Sequence, residues 1–106
     1  MTECVLVLTT MPADDRANGL SRTLVEERLA ACVNVHEPMT STYRWQGKIE
    51  TDSERQVVIK TTRERLHALE ARLRELHPYE LPEFIVLDGS AGDAYGAWIG
   101  ETTRSG

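Results

Sequence analysis

The run His77-Pro78-Tyr79-Glu80-Leu81-Pro82-Glu83 gathers an imidazole, a phenol and two carboxylates within seven positions. Imidazole titrates near neutral pH and is the commonest side-chain metal ligand. Pro78 and Pro82 stiffen the backbone at two points, so the polar groups are held near one another. Such a loop suits the wall of a small-molecule or metal pocket, since ordered loops on a rigid frame are where sites usually lie. An architectural reading stands beside it. His77 would end a helix, where the dipole favours a cation, and Tyr79 would pack at a subunit seam.

The other candidate groups are dispersed. His67 falls off the leucine stripe of its segment and reads as a solvated histidine, and His36 sits with Glu37 in a long extended stretch. Lys60 and Glu54 share one extended segment at even spacing, hence one face, where they form an ion pair or line a cleft. Cys4 and Cys32 each lie in an apolar stretch and read as two reduced core thiols.

Several chemistries are excluded by what the chain lacks. The loop after the first strand reads Thr9-Thr10-Met11-Pro12, without the Cys-x-x-Cys that a soft-metal chaperone needs. The strands at Cys4 to Thr10 and Val57 to Thr61 carry no aromatic residue for base stacking, which argues against an RNA-recognition sheet. No nucleophile elbow, paired-His zinc helix or phosphate-cradling Gly loop is present. Gly96 and Gly100 flank Trp98 in a short segment bearing Asp93 and Glu101, and read as close packing rather than a membrane motif.

The 106 residues carry a formal net charge of -5, with acids and bases interspersed. That leaves no basic field for nucleic acid or anionic lipid. A hydrophobic fraction of 41% at this length suits one domain, residues 1–106, around one modest core. The first residues show no basic leader, and Val5 to Leu8 is too short for a signal peptide or a membrane span. The expectation is a cytoplasmic protein with no membrane attachment.

What positions the polar loop is a regular alternation of elements. Cys4 to Thr10 predicts a strand, and the stripe Ala13, Ala17, Leu20, Leu24, Ala31 behind Pro12 and Asp14 predicts a helix over about 14–31. Cys32 to Trp45, broken at Pro38, and Ile49 to Thr62 predict two long strands joined by a tight turn at Gln46-Gly47-Lys48. Leu66, Leu69, Leu73 and Leu76 predict a second helix from Arg63 to His77, which Pro78 stops. Phe84 to Leu87 predicts the last strand, followed by a turn at Asp88-Gly89-Ser90 and a short tail with Tyr95, Trp98 and Ile99. The order βαββαβ is an α+β, ferredoxin-like fold: an antiparallel sheet with both helices on one face.

Two features point to assembly. Cys4 to Leu8, Val57 to Ile59 and Phe84 to Leu87 are apolar at consecutive positions, so both sheet faces must be covered, yet two helices cover only one. Sister subunits are the simplest cover. The long hairpin has arms of about 14 residues, roughly 45 Å, and overhangs the core. Its tip edges, with Tyr43 and Trp45, would template pairing with a neighbouring chain. The alternative is a bulge near Pro38 that bends the hairpin back over its own subunit.

Leu29 to Val35, Ser41 to Glu50, Lys60 to Thr62 and His77 to Glu83, followed by Tyr95 and Trp98, stand in an order and spacing that resembles the CutA family of divalent-cation tolerance proteins. The likeness spans about residues 4–100. It implies a homotrimer whose hairpins pair between subunits, related in architecture to PII signalling proteins. It also implies a link to tolerance of copper and other divalent cations, with no established reaction.

A ligand-binding cleft is expected where the His77 to Glu83 loop meets the sheet near Lys60 and a neighbour's hairpin. Its lining would be Lys60, His77, Tyr79 and Glu80 with Tyr43 and Trp45, and His77 is the metal candidate, for copper or another divalent cation. Some bacterial members carry a Cys near the end of the first strand and a His pair before the Pro-Tyr step. Here these positions read Thr9 and Leu76-His77, leaving one histidine, while copper favours thiolate and imidazole. Two other functions compete with a non-enzymatic tolerance protein. One is a PII-like signalling trimer that regulates an unidentified protein partner and moves its Gln46 to Lys48 turn with ligand. The other is a small enzyme with His77 as acid or base, assisted by Tyr79 or Glu80.

Overall fold

A computed structural model describes residues 1–104; Ser105 and Gly106, the end of the expected 1–106 domain, lie outside them. The elements are β1 (Thr2–Pro12), α1 (Arg16–Glu26), β2 (Cys32–Val35), β3 (Met39–Trp45), β4 (Lys48–Thr61), α2 (Leu66–Leu76), β5 (Ile85–Ala91) and α3 (Asp93–Thr102). A single 3-10 turn, Arg63–Arg65, leads into α2. The sheet order is β2-β4-β1-β5, with β3 continuing beside the outer half of β4. Taking β2 and β3 as one interrupted strand, this is the expected antiparallel ferredoxin-like sheet.

Strand parity decides what is buried. Val5, Val7 and Met11 of β1 and Val57 and Ile59 of β4 point to one face, against Ala17, Leu20 and Leu24 of α1 and Leu69 and Leu73 of α2. Each large apolar side chain sealed there contributes roughly 1.5–3 kcal/mol. Leu6, Leu8, Val58 and Lys60 point to the other face, because β1 and β4 pair with Leu6 opposite Lys60 and Leu8 opposite Val58.

Four elements differ from the sequence expectation. Helix α1 ends at Glu26, not near Ala31, because Arg28 turns into the left-handed region with φ 59°. The Arg28 N–H then donates to the Val25 carbonyl and the Leu29 N–H to the Leu24 carbonyl, which closes the helix without glycine. Between Val35, opposite Val57, and Met39, opposite Glu54, β2–β3 holds one residue more than β4 spans. This is the bulge at Pro38, and the strand resumes beyond it instead of folding back.

Strand β5 continues through Asp88-Gly89-Ser90, where a turn was expected, because these residues pair with Val5, Cys4 and Glu3 of β1. The tail is a helix, α3. It lies on the second face, with Gly96 against Thr2 and the Lys60 ammonium 5.8 Å from the Tyr95 ring centroid. It covers that face only in part: Ile85, Leu87, Tyr95 and Trp98 remain exposed.

The fourteen residues of β4 run the length of a molecule measuring 44 × 24 × 23 Å. Its tip turns at Gln46-Gly47 with φ of 50° and 80°, the positive pair that a two-residue hairpin loop requires.

Candidate functional site

Loop 78–83 and the inner half of the hairpin build one polar cluster. Pro78 ends α2, so His77 leaves the helix in extended conformation and its ring swings under β1. The ring is buried, at 8% exposure. Nε2 lies 2.8 Å from the Thr10 carbonyl and 3.4 Å from Thr9 Oγ1, while the Tyr79 N–H donates to Nδ1 at 3.1 Å. A carbonyl only accepts and a backbone N–H only donates, so the ring is neutral with its hydrogen on Nε2. Burial lowers its pKa; the Thr10 carbonyl and the Glu54 charge oppose this but do not prevail.

Tyr79 packs on that ring with centroids 4.8 Å apart and donates its hydroxyl to Glu54 Oε2 at 2.9 Å. Burial, then the bond to Glu54, pushes the phenol pKa upward, so it stays a donor. Glu54 is itself nearly buried, opposite Pro12 of β1. The far end of the loop is tied by Gln56, whose amide donates to the Thr9 carbonyl at 2.7 Å and to Glu83 Oε2 at 3.0 Å. On the hairpin Tyr43 donates to Asp52, and that bond raises its pKa to about 12.

These groups surround an open cleft of about 1140 Å³, larger than the usual 300–1,000 Å³ of small-molecule pockets. Asp52, Glu54, Glu80 and Glu83 line it, with Arg44 as the one lining cation among the described residues. The cleft is therefore acidic, and Tyr43, Trp45 and Tyr79 give it aromatic walls.

Of the six residues expected to line the cleft, Tyr43, Trp45, Tyr79 and Glu80 do so, and His77 lies behind the wall, holding Tyr79. Lys60 does not line the cleft of the single chain. It shares the face of Glu54 but sits six residues further along β4, about 20 Å away at strand rise, over Tyr95. Glu54 accordingly pairs with Tyr79, not with Lys60. Sequence reasoning passed over Asp52 and Gln56, and counted Glu83 in the polar loop without placing it in the lining. The alternation Asp52, Glu54, Gln56 was the available signal, a polar stripe on one strand face.

Within the single chain these residues do not by themselves make up a copper site. Both His77 nitrogens are engaged, and Thr9 offers a hydroxyl where a thiolate would be wanted. Among the described residues no three His, Cys, Asp or Glu side chains converge as a ligand set. Cys4 and Cys32 are free and half-buried, not sealed in the core. Both lie on the second face, in register with Gly89 and Lys60. His36 and His67 are exposed. No described helix is long and apolar enough to cross a membrane.

Comparison with known proteins agrees with this architecture. The family model for the CutA1 divalent ion tolerance protein matches residues 5–102. The divalent-cation tolerance protein CutA of Thermus thermophilus is 42% identical over 99 residues, which cover 92% of this chain and 96% of that one. The crystal structure of CutA from Xylella fastidiosa superposes with a TM-score of 0.91 at 46% identity, covering 95% of this chain and 98% of that one. A protein named as the periplasmic divalent cation tolerance protein CutA of Archaeoglobus fulgidus gives a TM-score of 0.90 at 29% identity, covering 95% and 99%. By sequence over nearly its whole length, and by fold, the chain belongs to the CutA1 family of divalent ion tolerance proteins.

Proposed function

We propose that the protein serves divalent-cation tolerance as a homotrimer without catalytic chemistry, taking ions or a small ligand in clefts that neighbouring chains complete. The observation that carries this is the half-covered second face, where Ile85, Leu87, Tyr95 and Trp98 stay exposed beside Leu6, Leu8 and Val58. Apolar area of this kind on a small chain marks an interface. The overhanging hairpin, exposing Tyr43, Trp45 and Ile49, offers a second surface for the same neighbour.

The cleft supports the rest of the reading. Its acidic lining favours a cation, and its incomplete ligand set calls for groups from a second chain. His77 and Tyr79 have their polar atoms engaged with each other, Thr10 and Glu54, which leaves neither as a free acid or base. Two free thiols favour the cytoplasm, a reducing compartment.

Light scattering at micromolar concentration tests the assembly: three chain masses are expected, and a single chain mass overturns it. Calorimetric titration with copper and other divalent ions tests the cleft. Heat saturating at a whole ratio per chain or per trimer is expected, and none with any ion overturns cation binding. Cell fractionation that recovers the chain outside the cytoplasm overturns the location.

A further inference from the structure

We infer that His77 is a proton-operated latch on the loop wall of the cleft: one proton added at Nδ1 removes the acceptor of the Tyr79 N–H and frees residues 78–83. The latch rests on the cleft reading only for its consequence, not for its operation.

The two sides of the ring answer protonation differently. At Nε2 the hydrogen already points to the Thr10 carbonyl at 2.8 Å, and an imidazolium strengthens that bond. At Nδ1 the new hydrogen would face the Tyr79 N–H, whose nitrogen is 3.1 Å away, so two donors meet and one must leave. The ring is anchored to β1, so the loop moves. Among the described residues 79–83 make no backbone–backbone hydrogen bond. This segment hangs on side chains: the Tyr79 N–H to His77, the Tyr79 hydroxyl to Glu54, and Glu83 to Gln56. Removing the first leaves a Pro-bounded segment held through two side chains, Tyr79 and Glu83.

The groups facing the ring define the response. From β1 they are the Thr9 hydroxyl and the Thr10 carbonyl, both uncharged. From β4 it is the Glu54 carboxylate, and from the loop the Tyr79 phenol. Arg16 of α1 acts on Tyr79 rather than on the ring. Glu54 is thus the one charged group acting on His77. It attracts the imidazolium. Burial opposes the charge, which sets the transition below the ordinary imidazole range. The cleft keeps its shape at neutral pH and loosens in acid, below the ordinary imidazole range.

Two-dimensional NMR of the ligand-free protein, from about pH 8 to about pH 5, tests this against an ordinary imidazole midpoint of about 6.5. The ring nitrogens should report the Nε2–H tautomer at high pH. The Tyr79, Glu80 and Leu81 amides should shift with the same midpoint as the His77 ring, below 6.5, while Val7 and Ile59 stay fixed. The Tyr79 amide should lose about tenfold or more of its exchange protection through that transition. His77→Gln should abolish the coupled shifts. If it does not fold, Glu54→Gln should keep them at a lower midpoint, since the attracting charge is gone. A Tyr79 amide that stays still while His77 titrates, or a loss of all amides together, overturns the latch. A failed cleft would show instead as absent binding heat with this titration intact.

Discussion

Gly96 of α3 stands over Thr2 of β1 so closely that a β-carbon at position 96 would lie 2.4 Å from the Thr2 Cβ. The helix that half-covers the second face docks through a missing side chain, and the contact is with a β-carbon carried directly on the strand, not a flexible tip.

Gly96→Ala should therefore destabilise the protein. Overpacking costs about 1–3 kcal/mol, and the better helix propensity of alanine returns about 1 kcal/mol, so a net loss of about 1 kcal/mol is expected. Gly100 lies in the same helix with nothing within 4 Å of an added β-carbon. Gly100→Ala should raise stability by a few tenths to about 1 kcal/mol. Urea midpoints compare the two, and equal effects would contradict the docking.

Tyr79→Phe removes the donor to a nearly buried carboxylate, Glu54. A loss of about 1–3 kcal/mol is expected in urea unfolding. Glu54→Gln keeps an acceptor for the phenol and should cost less. A double-mutant cycle between the two should give a coupling of about 1 kcal/mol, and near-zero coupling would mean the bond is absent in solution.

His77 should make stability fall with acid. Its folded pKa is lowered by burial, so the unfolded chain takes up the proton first as pH drops. Stability is full above the unfolded value of about 6.5, declines below it, and levels off under the folded pKa. Urea midpoints against pH should show this slope, and His77→Gln should flatten it. An unchanged slope in the variant would assign the effect elsewhere.

The half-buried thiols report on the second face. Cys4 and Cys32 lie there with Leu87, which is 45% exposed in the single chain. Thiol labelling should be slow in the native protein. Leu87→Glu should split the assembly into folded monomers and speed labelling of both. Rapid labelling before the change, or an unchanged mass after it, would place the interface elsewhere.

What the chain determines by itself is whatever depends on local period. The leucine stripe of α2 names the residues it buries, because side-chain direction follows from backbone geometry over a few residues, whereas the unbroken apolar runs of β1 and β4 leave open which parity faces the helices. The His77 to Glu83 loop was legible for the same reason, since proline spacing is a local constraint.

Apart from the end of α1, the failures are non-local. Parity placed Lys60 on the face of Glu54 but said nothing of the distance along the strand. Arg28 gave no glycine signal for the end of α1, and Asp88-Gly89-Ser90 reads as a turn until β1 pairs with it. The glycines of α3 weaken its helix signal, and the Thr2 contact that explains Gly96 lies 94 residues back in the chain (96 − 2). The state of His77 depends most on tertiary structure. Its ring meets the Thr10 carbonyl across 67 residues, and that partner, with the Tyr79 N–H, holds the ring neutral and engaged on both sides. A polar atom's role is set by what faces it after packing, and only the folded chain brings those partners together.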